Sequence, residues 1–387
     1  MRRTFKYRAY PTPTQAEALR EQVNEACRLY NAALEERRSA WRMNGISLGY
    51  YDQANQLKDI RAAGTVGIAN FSACQDVLRR VNKTFVAFFG RVRAGEKRVG
   101  YPRFRSRLRY DSLTWPSWGD GCALRASGRL YLQGVGDLKL KWHRPLPADA
   151  TIKTVTAKRA AGRWYVCFSV QLPEPEPLPV SQLAVGVDVG LTTFAVLSDG
   201  SEIANPRHFR AGERRLRLAQ RKLARRKKRS RRRLKARQEV ARVHSHVANQ
   251  RRDFHHKTAH ALVQAHGLIA VEDLNVKGLA GSILAKSVHD AGWSQFISIV
   301  ADKAAEAGRT LVKVNPAGTT QACSGCGEHV PKDLKDRWHS CACGLSIGRD
   351  LNAALNILRL AFTPGLGWSL QAPTVDRYSL GASHAVA

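Results

Sequence analysis

Apolar and polar residues alternate from Thr4 to Tyr10 (TFKYRAY), a period of two that predicts a strand, and the Pro-Thr-Pro-Thr after it supplies a turn and a helix N-cap. The period then lengthens. Between Gln15 and about Arg93, Ala18, Leu19, Val23, Cys27, Tyr30 and Leu34 share one helical face and a second amphipathic run extends from Ile68 to Phe89, so a small helical bundle is expected. Gly100-Tyr101-Pro102 ends it, and residues 112–172 return to short alternating segments around glycine-centred turns, the pattern of antiparallel hairpins. The first strand and these hairpins should form one β domain interrupted by the bundle. PEPEPLPVSQ, at 173–182, is a Pro-rich extended connector and marks a domain boundary. Beyond it the order is strand (LAVGVDVG), strand (TTFAVLSDG), strand (SEIANP), a long basic helix over about 207–262, strand (GLIAVEDL), a helix over about 287–307, strand (TLVKVNP), a Cys-rich insert and a last helix over 350–361. That alternation suits an α/β domain, so the fold class expected is multidomain α+β. The stretch after Pro364 has no consistent period and is expected to be a flexible tail.

Charge changes this picture most. Sixty-three Lys and Arg face 31 Asp and Glu among 387 residues, a formal net charge of +32, which points to a polyanionic partner and hence to nucleic acid. Charge names the partner without deciding between an enzyme and an RNA-associated scaffold. No run reaches the roughly 18 apolar residues of a membrane span, and the N-terminus lacks the apolar core of a signal peptide, so a cytoplasmic protein with no membrane partner is expected. Of eight Cys, four are scattered (Cys27, Cys74, Cys122, Cys167) and four fall between 323 and 343, a distribution that speaks for a reducing compartment and one metal site rather than disulfides.

That site is Cys323-x-x-Cys326, fourteen residues, then Cys341-x-Cys343, with Gly327 and Gly344 just after the pairs. Four thiolates on two turns form a tetrahedral cage suited to Zn²⁺, and a closed set of four leaves no open position, so the role is structural. His339 is near enough to compete as a ligand but is expected at the surface. A second constellation consists of three acids at the edges of apolar runs: Asp188 in VGVDVG, Glu272 at the end of LIAVE, and Asp350 opening the helix LNAALNI. If the two strands are neighbours and the helix packs across their ends, the three carboxylates converge, and hard oxygen donors select Mg²⁺ or Mn²⁺. Taken singly each acid has a plainer role: Asp350 as an N-cap, Asp188 bonded to a nearby turn, Glu272 paired with an Arg. Asp199 suits a hairpin turn, and Asp273 faces away from Glu272 by strand alternation.

Residues 207–235, RHFRAGERRLRLAQRKLARRKKRSRRRLK, are more than half Lys or Arg with a single Glu, and only Leu216, Leu218, Leu223 and Leu234 as apolar anchors. Self-repulsion along such a helix is relieved by phosphates, which makes Arg214, Arg217, Arg221, Lys222, Arg225, Arg226, Lys227, Lys228, Arg229, Arg231 and Arg232 candidate nucleic-acid contacts. Arg103 and Arg105, interleaved with Tyr101 and Phe104 after the bundle, are further candidates for clamping or stacking on RNA.

Three blocks in fixed order, GVDVGLTTFAVLSDG, AVEDLNVKGL and CSGCG…CACGLSIGRDLNAALNIL, resemble the TnpB/OrfB family of transposon-encoded RNA-guided nucleases, relatives of the small type V CRISPR effectors. FKYRAYPTPTQ and KTFVAFFGRVRAGEKRVGYPRF extend the resemblance over nearly all of the chain up to about Leu360. It implies a β-barrel-like wedge domain (1–14 with 108–175), a helical recognition bundle (15–107), an RNase H-like, RuvC-type nuclease domain (183–318 with 346–363), a zinc ribbon (319–345) and the tail (364–387). It further implies Asp188, Glu272 and Asp350 as catalytic acids, a guide RNA, a double-stranded DNA target with its displaced strand, and a short target-adjacent motif for which Tyr50 and Gln75 are candidate readers. A prokaryotic cytosolic, nucleoid-associated protein is expected; the oligomeric state is left open, with a monomer favoured. Where many relatives carry Asp-Arg-Asp this chain reads Gly348-Arg349-Asp350, which keeps the catalytic acid and loses its neighbour. A nuclease-inactive RNA-guided repressor and a transposase working without RNA are the alternatives.

Overall fold

The structure is a computed structural model in which residues 1–333 and 335–362 are described; the tail expected over 364–387 lies outside the described residues. The chain forms two compact units that divide between Glu174 and Pro175, inside the Pro-rich connector.

In the first unit, strand β1 (Arg2–Tyr10) leads into helices α1 (Pro13–Asn44), α2 (Tyr50–Ala62) and α3 (Phe71–Arg93), followed by strands β2 (Ser112–Trp115), β3 (Cys122–Leu124), β4 (Leu130–Leu132), β5 (Gly136–Lys141), β6 (Thr151–Ala160) and β7 (Arg163–Gln171). The turn after β1 starts α1 as its residue types dictate: Pro13 opens the helix, Thr12 caps it by accepting from Gln15 N, and the Gln15 side chain accepts from Thr12 N. The seven strands form one antiparallel sheet in the order β2-β6-β7-β1-β5-β4-β3. Thus β1, first in sequence, lies between β7 and β5, which explains how the bundle is inserted without dividing the β domain. Its buried face and the bundle share one core that includes Tyr7, Leu19, Tyr30, Val77, Trp115 and Phe168.

The second unit opens with β8 (Ala184–Val189), β9 (Thr193–Leu197) and β10 (Glu202–Ala204), then α4 (His208–Ala224), α5 (Arg231–Ala265) and β11 (Leu268–Glu272). It continues with α6 (Val276–Leu279), α7 (Ala285–Ala291), α8 (Trp293–Glu306), β12 (Thr310–Val314), the short strands β13 (Trp338–Ser340) and β14 (Ser346–Gly348), and α9 (Arg349–Ala361). Five strands form a mixed sheet, β10-β9-β8-β11-β12, antiparallel from β10 to β8 and parallel from β8 to β12. Two expected helices are each divided. The long basic helix breaks at residues 225–230, where Arg229 adopts a left-handed φ of 66° and Ser230 caps α5, so α4 folds back along α5. Sixteen-odd like charges on one straight rod would repel along its length, whereas the hairpin lets α4 bury Leu216 and Ala219. The other division is at Gly292, whose φ of 67° ends α7 and begins α8.

Candidate active site and metal centre

The strands that carry the first two acids are direct neighbours. β8 and β11 are parallel with Val187 opposite Val271, so Asp188 and Glu272 are the next position on each strand, at the same end of the sheet. Helix α9 packs on β8, β9, β11 and β12, and its contact with β8 is at Gly186: a Cβ there would sit 2.0 Å from the Ala354 carbonyl oxygen. Glycine at 186 therefore allows the helix backbone to reach the strand, which brings Asp350, in the first turn of α9, to the strand ends. The cap of α9 is Gly348 with no side-chain hydrogen bond, so Asp350 is not an N-cap as its sequence position alone allowed.

Burial, then the charges of Glu272 and Asp350, push the Asp188 carboxyl up to about 8, with Arg349 pulling the other way. Glu272 is 8% exposed and also raised by burial, opposed by the Thr319 hydroxyl, which donates to its Oε1 at 2.5 Å. The Arg partner considered for Glu272 is thus replaced by a threonine. Asp350 is about one-third exposed and pairs with Arg349 at 3.0 Å. Asp188 thus feels two neighbouring carboxylates and one Arg, a donor set that a hard divalent cation would neutralise. Among the described residues only the four cysteines bring metal-ligand atoms within 4.8 Å of one another, so the oxygens of Asp188, Glu272 and Asp350 are spread more widely than that. Asp273 points away, exposed and 3.6 Å from Lys313, and Asp199 accepts from the Ser201 N–H in the hairpin turn.

Cys323 and Cys343 are 3.7 Å apart and Cys326 and Cys341 are 3.6 Å apart, close to the ~3.8 Å edge of a tetrahedron with ~2.3 Å metal–sulfur bonds. Burial would raise the Cys323 thiol, but the N–H groups of Cys326 and Gly325 and the His339 and Cys343 side chains bring it down to about 6, while hydrogen bonding among the sulfurs pushes the Cys326, Cys341 and Cys343 thiols up, so Cys323 is the first of the four to become a thiolate. His339, expected at the surface, is instead fully buried beside Lys332. Strand β13 turns it inward because its neighbours Trp338 and Ser340 take the exposed face.

Sequence reasoning passed over Asn352 and Asn356, which hold this region together. Asn352 and Asn356, both buried on α9, donate to the Ala322 carbonyl, Asn356 also reaches the Thr319 carbonyl, and Asn352 Oδ1 accepts from Ser324 N. Two Asn four residues apart on the apolar face of a helix were a readable signal, since amides are not buried there without partners. Asp290 accepts from Phe209 N and Arg210 N, capping the α4 terminus across the fold. Arg233 donates to the Leu223 and Arg226 carbonyls and so closes the α4 C-terminus.

On the basic hairpin Arg214, Arg217, Arg221, Lys222, Arg225, Lys227, Lys228, Arg229, Arg231 and Arg232 are exposed and Arg226 is half-buried. Arg217 and Lys222 are paired with Glu213 and Glu239. Of the four leucines taken as anchors, Leu216 is buried and Leu223 half-buried, while Leu218 and Leu234 are exposed, because the hairpin packs only one face of each helix. In the first unit Arg103 and Arg105 are exposed, with the Arg105 backbone held by Asn31. Tyr50 and Gln75 line one cavity of about 590 Å³ with Asn55, Arg79 and Lys83.

A protein of Streptomyces pristinaespiralis named "Putative RNA-guided DNA endonuclease" is 35% identical over 92% of this chain and 89% of its own length. The chain belongs to the TnpB/OrfB family. Within this family member, residues 167–282 match the OrfB model described as "Probable transposase", 293–357 match "Cas12f1-like, TNB domain", and 1–45 match "Helix-turn-helix domain". A similar Escherichia coli K12 protein, "Putative RNA-guided DNA endonuclease InsQ", shares 28% identity over 92% of the chain and 91% of its own. Among solved structures, the "Cryo-EM structure of the Cas12f1-sgRNA-target DNA complex" aligns with a TM-score of 0.59 at 14% identity, covering 92% of this chain and 98% of that one. The likeness shows a common mixed α+β fold. No helix of the described residues is long and apolar enough to cross a membrane.

Proposed function

We propose that this family member is a transposon-associated, RNA-guided DNA endonuclease whose second unit is an RNase H-like, RuvC-type nuclease domain. One observation carries the reading to the chemistry: Asp188, Glu272 and Asp350, from two adjacent strand ends and one helix start, lie close enough that the latter two raise the Asp188 carboxyl. A structural acid is stabilised by donors around it; here acids surround an acid, the arrangement used to hold cations.

Asp188, Glu272 and Asp350 are the residues that would hold two Mg²⁺ or Mn²⁺ ions, and bound metal would supply Lewis-acid activation of water and stabilisation of the leaving 3′ oxygen. The chain's own part is positional. Thr319 and Arg349 orient two of the three carboxylates, and the sheet end fixes the third. Cys323, Cys326, Cys341 and Cys343 would hold a structural Zn²⁺, a closed set with no position for substrate. Exposed Lys and Arg of the α4–α5 hairpin, with Arg103 and Arg105, would bind the backbone of the guide RNA and its duplex with target DNA, while base pairing supplies sequence specificity. The cavity shared by Tyr50 and Gln75 supports their assignment as readers of a target-adjacent motif, Gln being suited to adenine edges.

The test begins with RNA copurified with the full-length protein, which is sequenced. The complex is then given a plasmid library randomised beside the target, with and without Mg²⁺. A discrete RNA and Mg²⁺-dependent cutting that Asp188→Ala abolishes without loss of target binding are expected. Binding without cutting by the unaltered protein would make it a repressor, and cutting without RNA a self-sufficient transposase; either outcome removes the reading.

A further inference from the structure

We infer that Thr319 is a positioning residue for Glu272, and that through it the cysteine centre helps set the carboxylate site; this rests on the nuclease reading above. Thr319 stands four residues before Cys323, in the loop between β12 and the cysteine knuckle. Its hydroxyl is buried, 2.5 Å from Glu272 Oε1 and 3.1 Å from the Pro316 carbonyl. One hydroxyl has one proton, and the charged acceptor at the shorter distance takes it. Oε1 is thereby engaged, and Oε2, to which no hydrogen bond is made among the described residues, is the oxygen left to face a cation.

The threonine is itself held. Its carbonyl accepts from Asn356 Nδ2 at 2.9 Å, and the same amide reaches the Ala322 carbonyl at 2.7 Å, next to Cys323. Asn352 adds a bond to Ala322 O at 2.8 Å and accepts from Ser324 N at 2.9 Å, inside the first cysteine knuckle. Both amides project from α9, which carries Asp350 at its start. Glu272 and the knuckle are thus tied by a short, largely buried chain of hydrogen bonds to α9, the helix whose first turn carries Asp350, and such networks hold a geometry more sharply than apolar contact does. Without the Thr319 hydroxyl, Oε1 would be buried bare, and the carboxyl would rotate or take up a proton, either of which weakens it as a metal ligand.

Thr319→Val removes the hydroxyl at nearly constant volume, and Thr319→Ser keeps it. In the RNA-bound full-length protein, Mn²⁺ binding is measured by calorimetry, beside the Mn²⁺ concentration for half-maximal cleavage, the zinc content and the unfolding temperature. Thr319→Val is expected to weaken Mn²⁺ binding roughly tenfold, equivalent to about 1.4 kcal/mol, and to raise the half-maximal concentration by the same factor. Thr319→Ser should stay within about twofold of the parent with an unchanged unfolding temperature, Thr319→Val should unfold a few degrees lower because Oε1 loses its donor, and the zinc content should be unchanged in both. Unaltered Mn²⁺ binding by Thr319→Val overturns the inference, as does equal loss in Thr319→Ser. Should the valine variant not fold, Thr319→Ala gives the same reading. Asp188→Asn separates the two levels: if it also leaves Mn²⁺ binding intact, the carboxylate site itself is wrong, whereas its failure to bind beside an unaffected Thr319→Val rejects only the positioning role.

Discussion

Replacing Asp188 by Asn should make the metal-free protein more stable while ending cleavage, and the size of the gain should depend on pH in a defined way. Burial, Glu272 and Asp350 move the carboxyl from 3.8 to about 8 in the folded chain. The folded state therefore holds a proton that the unfolded state has lost between those values, so stability falls as pH rises from about 4 through about 8. At ~1.36 kcal/mol for each pH unit, the penalty at pH 8 and above is at most about 6 kcal/mol. Water reaching the half-buried group reduces this, and about 3 kcal/mol is expected. Asn has nearly the same shape and no charge, so the difference between variant and parent should be near zero at about pH 4 and grow towards about 3 kcal/mol near pH 8. In a unit of this size that is a rise of roughly 6–12 °C in unfolding temperature, read by calorimetry in Mg²⁺-free buffer at a series of pH values. Cleavage should fall by about a thousandfold or more, since a metal ligand is lost. If the two proteins lose stability in parallel across this range, the three carboxylates are not electrostatically joined and the site assignment fails.

Other consequences can be measured separately. Gly186→Ala places a Cβ 2.0 Å from the Ala354 carbonyl, so α9 must move off β8; a loss of at least ~3 kcal/mol in thermal unfolding, with loss of cleavage, is expected, and a neutral effect would refute that close approach. Cys341→Ser should remove bound zinc as measured by mass spectrometry and lower the unfolding temperature, whereas full retention would mean that another side chain such as His339 completes the site. Changing Arg225, Lys227, Lys228 and Arg229 together to Ala should leave the fold intact, because all four are exposed, and should lower the slope of log affinity for RNA against log salt by about 3; an unchanged slope would take the hairpin out of the interface.

The candidate residues were unusually legible because their chemistry imposes local patterns. Two tight cysteine pairs are written contiguously, and acids that interrupt or end apolar runs are visible wherever they stand. The family likeness is carried by those same short blocks. Their supports were less visible: Thr319, Asn352 and Asn356 are ordinary polar residues whose role depends on carbonyls and carboxylates distant in sequence. Periodicity also overran two helix breaks, because a single residue of left-handed backbone at Arg229 or Gly292 leaves the apolar spacing on either side unchanged.

By itself, then, the sequence indicated the element types, a polyanionic partner, a candidate cysteine cage and, through the family likeness, three candidate acids, all carried by composition or by short blocks of neighbouring residues. Tertiary structure alone decided that β1 lies between β7 and β5, that β8 and β11 are neighbours in a register that levels Asp188 with Glu272, and that Gly186 admits α9 close enough to bring Asp350 to them. Sheet order and helix approach depend on how whole faces pack, and no local spacing encodes them. Three acids that each had a plain structural explanation become a candidate for one site only through that sheet order and helix approach.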